Sequence, residues 1–178
     1  MRRRASKTND DEQPNLFTVL PHADAPQPQS PHTYALYRVA LVREASVQAL
    51  SPSIRSSQDA AAIFRSHLAG VDREHFLNLL LDRKNKLIGV NTVSIGSLTA
   101  SVVAPREVFK PAILANAAAI ICGHNHPSGD PQPSPEDRAL TARLVQGGKL
   151  LGIEVLDHII VGDGTDAYFS FADNGTLG

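Results

Sequence analysis

The chain has 178 residues, 42% of them apolar and 5% aromatic, which is enough for one packed domain with a tail. Seventeen basic residues against eighteen acidic ones leave a net charge of −1, which argues against a broad electrostatic footprint on nucleic acid. A single cysteine excludes an internal disulfide framework, and no apolar run approaches the ~20 residues that span a bilayer, so the expectation is a cytoplasmic protein without membrane contact.

Residues 1–32 read as a disordered arm. They hold five of the twelve prolines and are otherwise mostly polar. The folded domain is expected over residues 33–178, opening with an edge strand from Tyr34 to Val42. A first helix is predicted from Ser57 to Ala69, with Ser56 and Asp59 spaced as an N-cap pair and Gly70 as the stop. Ala60, Ile63, Phe64, His67 and Leu68 form its apolar stripe, with His67 at the edge of the core. Phe76–Leu81 and Leu87–Val93 read as a hairpin turning through Asp82–Lys86, and residues 94–103 as a further extended piece. A second helix starts near Pro105. Pro111 lies inside it, removes a backbone donor and predicts a kink or a restart. An apolar run from Ala117 then forms a central strand. A helix follows from Pro135, ending either at Gly147-Gly148 or at Gly152, then a strand over Ile153–Val161 and a short last one within Ala167–Phe171. Alternating strands and helices give an α/β fold, one sheet with helices packed on it.

The central strand leads into Gly123-His124-Asn125-His126-Pro127-Ser128-Gly129-Asp130-Pro131-Gln132-Pro133-Ser134-Pro135-Glu136-Asp137. On a strand, a spacing of two puts both imidazoles on one face. The loop rich in Pro and Gly suits neither helix nor strand. Ser134 and Pro135 then read as an N-cap and a first-turn proline, with Asp137 on the first helical turn. If the loop folds that helix start back on the strand end, two imidazoles and a carboxylate face one point. That is the ligand set of an open catalytic zinc site, with Zn2+ held by His124, His126 and Asp137 and a fourth position left for water. Asp137 has a second reading, as the partner of Ser134 in a capping box. Cys122 is in phase with both histidines but further back on a buried strand, and reads as a small core residue. Asn125 points away from the metal and reads as structural, and Asp130 as a turn residue.

The string His124-x-His126-Pro127, six residues, Ser134, two residues, Asp137 resembles the JAMM motif of the JAB/MPN metalloproteases, and HNHPSGD resembles the RadC-like branch of that family. Residues 106–110, 116–121 and 156–162 are also similar, so the resemblance covers roughly residues 51–172. It implies a curved mixed β-sheet packed between helices, and a metallopeptidase that cuts a peptide or isopeptide bond with a metal-activated water. It also implies two catalytic residues. Glu74 stands at the position of the family's general base, with Glu107 beside Arg106 as the competitor. Ser134 stands at the family's oxyanion-stabilising position, or spends its hydroxyl as a plain N-cap. His158, in Leu156-Asp157-His158-Ile159, either orients a ligand from behind or makes a core hydrogen bond. The alternative function is a non-catalytic zinc-binding module associated with DNA repair or replication.

The expected partner is a protein or peptide substrate, with no direct nucleic acid binding. Gln13-Pro14-Asn15-Leu16-Phe17 is similar to the pentapeptide, built on Gln13, Leu16 and Phe17, by which bacterial repair proteins dock on the DNA sliding clamp. The competing reading is a short apolar segment over Leu16–Leu20 that lies on the domain itself.

Overall fold

The computed structural model describes residues 53–96 and 103–178, together with Ala35, Arg38 and residues 40–44. The predicted arm, its clamp-like pentapeptide and residues 97–102 of the extended piece predicted over 94–103 lie outside the described residues. One compact unit runs from Val39 to Gly178. The unit before it, Met1–Arg38, is described only at Ala35 and Arg38. The described residues of the predicted strand Tyr34–Val42 are irregular and exposed, with Leu41 and Val42 open to solvent. β-propensity forms no strand without a neighbouring strand to pair with.

Three helices and five strands follow: α1 (Ser57–Leu68), β1 (His75–Leu81), β2 (Leu87–Ile95), α2 (Pro105–Leu114), β3 (Ala119–His126), α3 (Pro135–Leu151), β4 (Glu154–Gly162) and β5 (Tyr168–Ser170). The sheet order is β2-β1-β3-β4-β5. All pairings are antiparallel except β3 with β4, which are parallel and joined through α3. This is the mixed sheet between helices that the family resemblance implies, and β3 is its middle strand.

Period-two alternation sorts the side chains to two faces. Leu77, Leu79, Leu81, Ala119 and Ile121 pack with Phe64 and Leu68 of α1. Phe76, Leu80, Ile120 and Cys122 pack on the other face with Val108 and Phe109 of α2 and Leu140 and Leu144 of α3. Burying a side chain such as Phe64 completely is worth roughly 2–3 kcal/mol. Between β3 and β4 the register slips, so that Ile120 pairs with Val155 but Ile121 with Asp157. Leu156 is the extra residue. This bulge inverts the parity of β4 and turns His158 to the α3 face.

α1 is capped by Ser56, whose side chain accepts from Asp59 N. α2 does not restart at Pro111; it runs through that buried proline as one ten-residue helix. The single backbone bond lost there is offset by packing against the core. α3 passes through Gly147-Gly148 and stops at Gly152, the left-handed cap, at φ 68. The paired glycines are there for closeness. A Cβ on Gly148 would stand 2.4 Å from the Ile153 carbonyl, and one on Gly147 3.1 Å from the Phe109 ring. No helix of the described residues is long and apolar enough to cross a membrane.

Candidate metal centre

β3 delivers the two histidines and α3 the carboxylate. His124 and His126 alternate with Asn125, so both rings lie on the α3 face of the sheet while Asn125 points to the other. The chain leaves β3 at His126, turns at Gly129 (φ 81), and enters α3 at Ser134 with Pro135 in the first turn. A Cβ on Gly162 would stand 2.1 Å from the Gly129 carbonyl, so the glycine on β4 lets this loop lie down on the sheet.

The capping box does not take Asp137 away from the candidate metal group. The capping box is present: Asp137 N donates to Ser134 Oγ at 3.1 Å, and Oδ2 accepts from Ser134 N at 2.8 Å and from Ser134 Oγ at 2.6 Å. The cap fixes the carboxylate, and so aims it. Oδ1 then lies 3.4 Å from His124 Nε2, and Oδ2 lies 3.5 Å from His126 Nε2. The two Nε2 atoms are 3.1 Å apart. One ligand atom from each of these three residues lies within 4.8 Å of the others. A tetrahedral ion with bonds of about 2.0–2.1 Å separates its ligand atoms by roughly 3.3–3.4 Å, close to the separation of the two imidazole nitrogens and to the distance of each from one oxygen of the Asp137 carboxylate.

The lone pairs are aimed as well. His126 Nδ1 lies 2.8 Å from the Asp130 carbonyl, which can only accept, so Nδ1 carries the hydrogen and Nε2 is free to bind. His124 Nδ1 lies 3.0 Å from His158 Nε2, whose Nδ1 lies 2.7 Å from Thr141 Oγ1. His124 and His158 are fully buried, and the His126 side chain keeps 16% of its surface, which is the open side of the site.

Burial, reinforced by the neighbouring His158, drives the His124 pKa well down; burial, opposed by the Asp137 carboxylate and aided by His126, brings His158 to about 4. His126 goes the other way, because the Asp137 carboxylate, the Asp130 carbonyl and, more weakly, Glu74 outweigh its burial. Burial works to raise the Asp137 carboxyl, but His126, His124 and the Ser134 hydrogen bonds hold it well below the carboxylate range. The site thus sets a carboxylate against a neutral, buried His124 imidazole and the more exposed His126 ring, the residue types that metal ligation needs.

Glu74 is half-buried just before β1, near enough to His126 to act on its charge. Glu107 has its carboxylate taken up by Lys110 at 2.5 Å and Arg106 at 3.4 Å on α2. Cys122 lies in the core, its thiol 3.8 Å from Asn78 Oδ1 and its pKa pushed far up by burial. Asn125 accepts from His75 N at 2.8 Å and donates to the Arg73 carbonyl at 3.1 Å. Asp130 does cap its turn, accepting from Gln132 N at 3.0 Å, but its carbonyl also orients His126. The sequence reading missed that carbonyl and Thr141. The signal for Thr141 was a polar residue four after Asp137 on the buried stripe of α3.

Residues 54–176 match the family described as the RadC-like JAB domain, and the chain belongs to that family. It is 51% identical over 126 residues to a UPF0758 protein of Rubrobacter xylanophilus, covering 71% of this chain and 54% of that protein. It is 57% identical over 113 residues to one of Shouchella clausii, covering 64% and 49%. It is 48% identical over 141 residues to one of Methanosarcina acetivorans, covering 79% and 61%. The chain thus spans about half to three fifths of the length of these relatives.

Proposed function

We propose that this member of the RadC-like JAB family is a zinc-dependent hydrolase that cleaves a peptide or isopeptide bond. One observation carries the reading: His124 Nε2 and His126 Nε2 lie 3.1 Å apart, and the Asp137 carboxylate faces both, Oδ1 at 3.4 Å from the first and Oδ2 at 3.5 Å from the second. When bound there, zinc supplies Lewis-acid polarisation and lowers the pKa of a water towards ~7. His124, His126 and Asp137 would hold the ion, and the partly exposed His126 would border the side from which a substrate enters. Glu74 takes the proton from the attacking water and returns it to the leaving amine, a role supported by its place beside His126. Ser134 donates its hydroxyl hydrogen to the oxygen of the attacked carbonyl, turning away from Asp137 Oδ2 to do so.

A binding module without catalysis is favoured by one fact, the engagement of that same hydroxyl at 2.6 Å. Two measurements separate the readings. Metal analysis should give one zinc per chain, lost when His124, His126 and Asp137 are all replaced by Ala. A library of quenched peptides and isopeptides should then be cut by the wild type and not by Glu74→Gln, which keeps its zinc. Full zinc occupancy in the triple variant would overturn the site. Equal cutting by Glu74→Gln would overturn the assignment of the base.

A further inference from the structure

A chain of short contacts runs behind the metal ligands. His124 Nδ1 meets His158 Nε2 at 3.0 Å, His158 Nδ1 meets Thr141 Oγ1 at 2.7 Å, and Thr141 Oγ1 meets the Asp137 carbonyl at 2.7 Å. A neutral imidazole has one N–H and one lone pair, so the hydrogens along this chain can point in only two ways. In one, Thr141 donates to His158 Nδ1, His158 Nε2–H donates to His124 Nδ1, and the hydrogen of His124 is left on Nε2, where no metal can bind. In the other, Thr141 donates to the Asp137 carbonyl, His158 Nδ1–H donates to Thr141, and His124 Nδ1–H donates to His158 Nε2. His124 Nε2 then presents its lone pair to Asp137 and His126. The Asp137 carbonyl decides between them, because it can only accept and so takes the one hydrogen of the hydroxyl.

We propose that Thr141 and His158 are positioning residues that hold His124 in the Nδ1–H tautomer, leaving Nε2 free for the metal. The relay starts at the ligand His124 and returns to the ligand Asp137, so the first two turns of α3 set the carboxylate and the imidazole together. The His158 ring cannot swing out of line. It is fully buried, stacked on Phe171 at 5.1 Å and tilted against Phe76 at 5.4 Å, and Phe76 in turn stacks on His124 at 6.0 Å. Hydrogen bonds of this kind behind a ligating histidine fix its tautomer and raise its basicity.

The proposal rests on the metal-binding part of the function proposed above, and the test separates the two. Zinc affinity is measured by competition with a chromophoric chelator for the wild type, Thr141→Val and Thr141→Ser. Val keeps the shape but leaves His158 Nδ1–H without an acceptor, and binding should weaken by about 10–100-fold, while Ser should restore it to within about threefold. Independently of any variant, two-bond proton–nitrogen spectra of the zinc-loaded wild type should show His124 with hydrogen on Nδ1 and His158 with hydrogen on Nδ1. Equal zinc affinity in folded Thr141→Val, or His158 with its hydrogen on Nε2, would overturn the relay and leave the metal site standing. A wild type that takes up no zinc would overturn both.

Discussion

Asn125 is bound to His75 across the sheet: its Oδ1 accepts the His75 N–H at 2.8 Å while its Nδ2 holds the Arg73 carbonyl at 3.1 Å. The residue between the two candidate metal-ligating histidines therefore clamps the backbone on both sides of Glu74. One strand presents the candidate metal ligands on its even positions and, through Asn125, steadies the segment of the proposed base from its odd side. Asn125→Ala should leave zinc stoichiometry unchanged and lower hydrolysis by up to ~100-fold, the cost of a misplacement of about 1 Å. It should also cost about 1–3 kcal/mol of stability for the unpaired His75 N–H. Zinc loss in this variant would show that Asn125 serves the ligands and not the segment carrying Glu74.

The double duty of Asp137 gives a second expectation. Ser134→Ala removes the N-cap acceptor and one donor to Oδ2, and should cost about 0.5–2 kcal/mol in urea unfolding. Zinc should stay, because the Oδ1 contact with His124 and the backbone donor Ser134 N remain. Hydrolysis should fall by roughly 10²–10³-fold if the hydroxyl serves the oxyanion. Retained hydrolysis would assign Ser134 to the cap alone.

Gly123 shows how the far side of the sheet bears on the site. A Cβ there would stand 2.5 Å from the fully buried Phe64 ring of α1. Gly123→Ala, one residue before His124, should cost about 1–3 kcal/mol by overpacking. Phe64→Leu in the same chain should recover part of that loss, so a double-mutant cycle in urea should be non-additive. Additive costs would mean that the strand shifts instead of the ring.

The clustering of His124, His126 and Asp137 was legible in the sequence for local reasons. Strand parity put His124 and His126 on one face, and the N-cap at Ser134 placed Asp137 on a first turn. Both are short-range rules that tertiary packing did not override. The relay was not legible, because it depends on the bulge at Leu156. Counted by twos from Val155, His158 falls on the α1 face, and only the extra residue turns it to Thr141 and His124. Pro111 does not restart the helix for a related reason: propensity counts the lost bond but not the burial of the ring. The strand predicted at Tyr34–Val42 fails for want of a sheet neighbour at its described residues, which no local rule detects.

The metal-free protein should be acid-labile well above the carboxylate range. Burial lowers the pKa of both His124 and His158, the latter to about 4. The native state keeps both neutral, whereas the unfolded chain protonates them below ~6.5. Below that pH the unfolded state binds more protons, so stability falls as pH falls. The slope approaches ~1.4 kcal/mol per pH unit for each histidine, and so roughly 2.7 kcal/mol per unit for the two. His126 has the opposite sign. Its raised pKa adds stability that is complete below ~6.5 and lost as pH rises through the raised value, so it does not contribute to the slope between pH 6.5 and 5. Asp137, held low, loses its contribution only in stronger acid, and Asp157, raised by burial, pulls the other way only near the carboxylate range. Urea unfolding in the presence of a chelator at pH 6.5, 6.0, 5.5 and 5.0 should therefore show falling stability, with His158→Gln reducing the slope by about half. Stability that rises over this interval would mean that at least one of the two buried rings is charged in the folded protein.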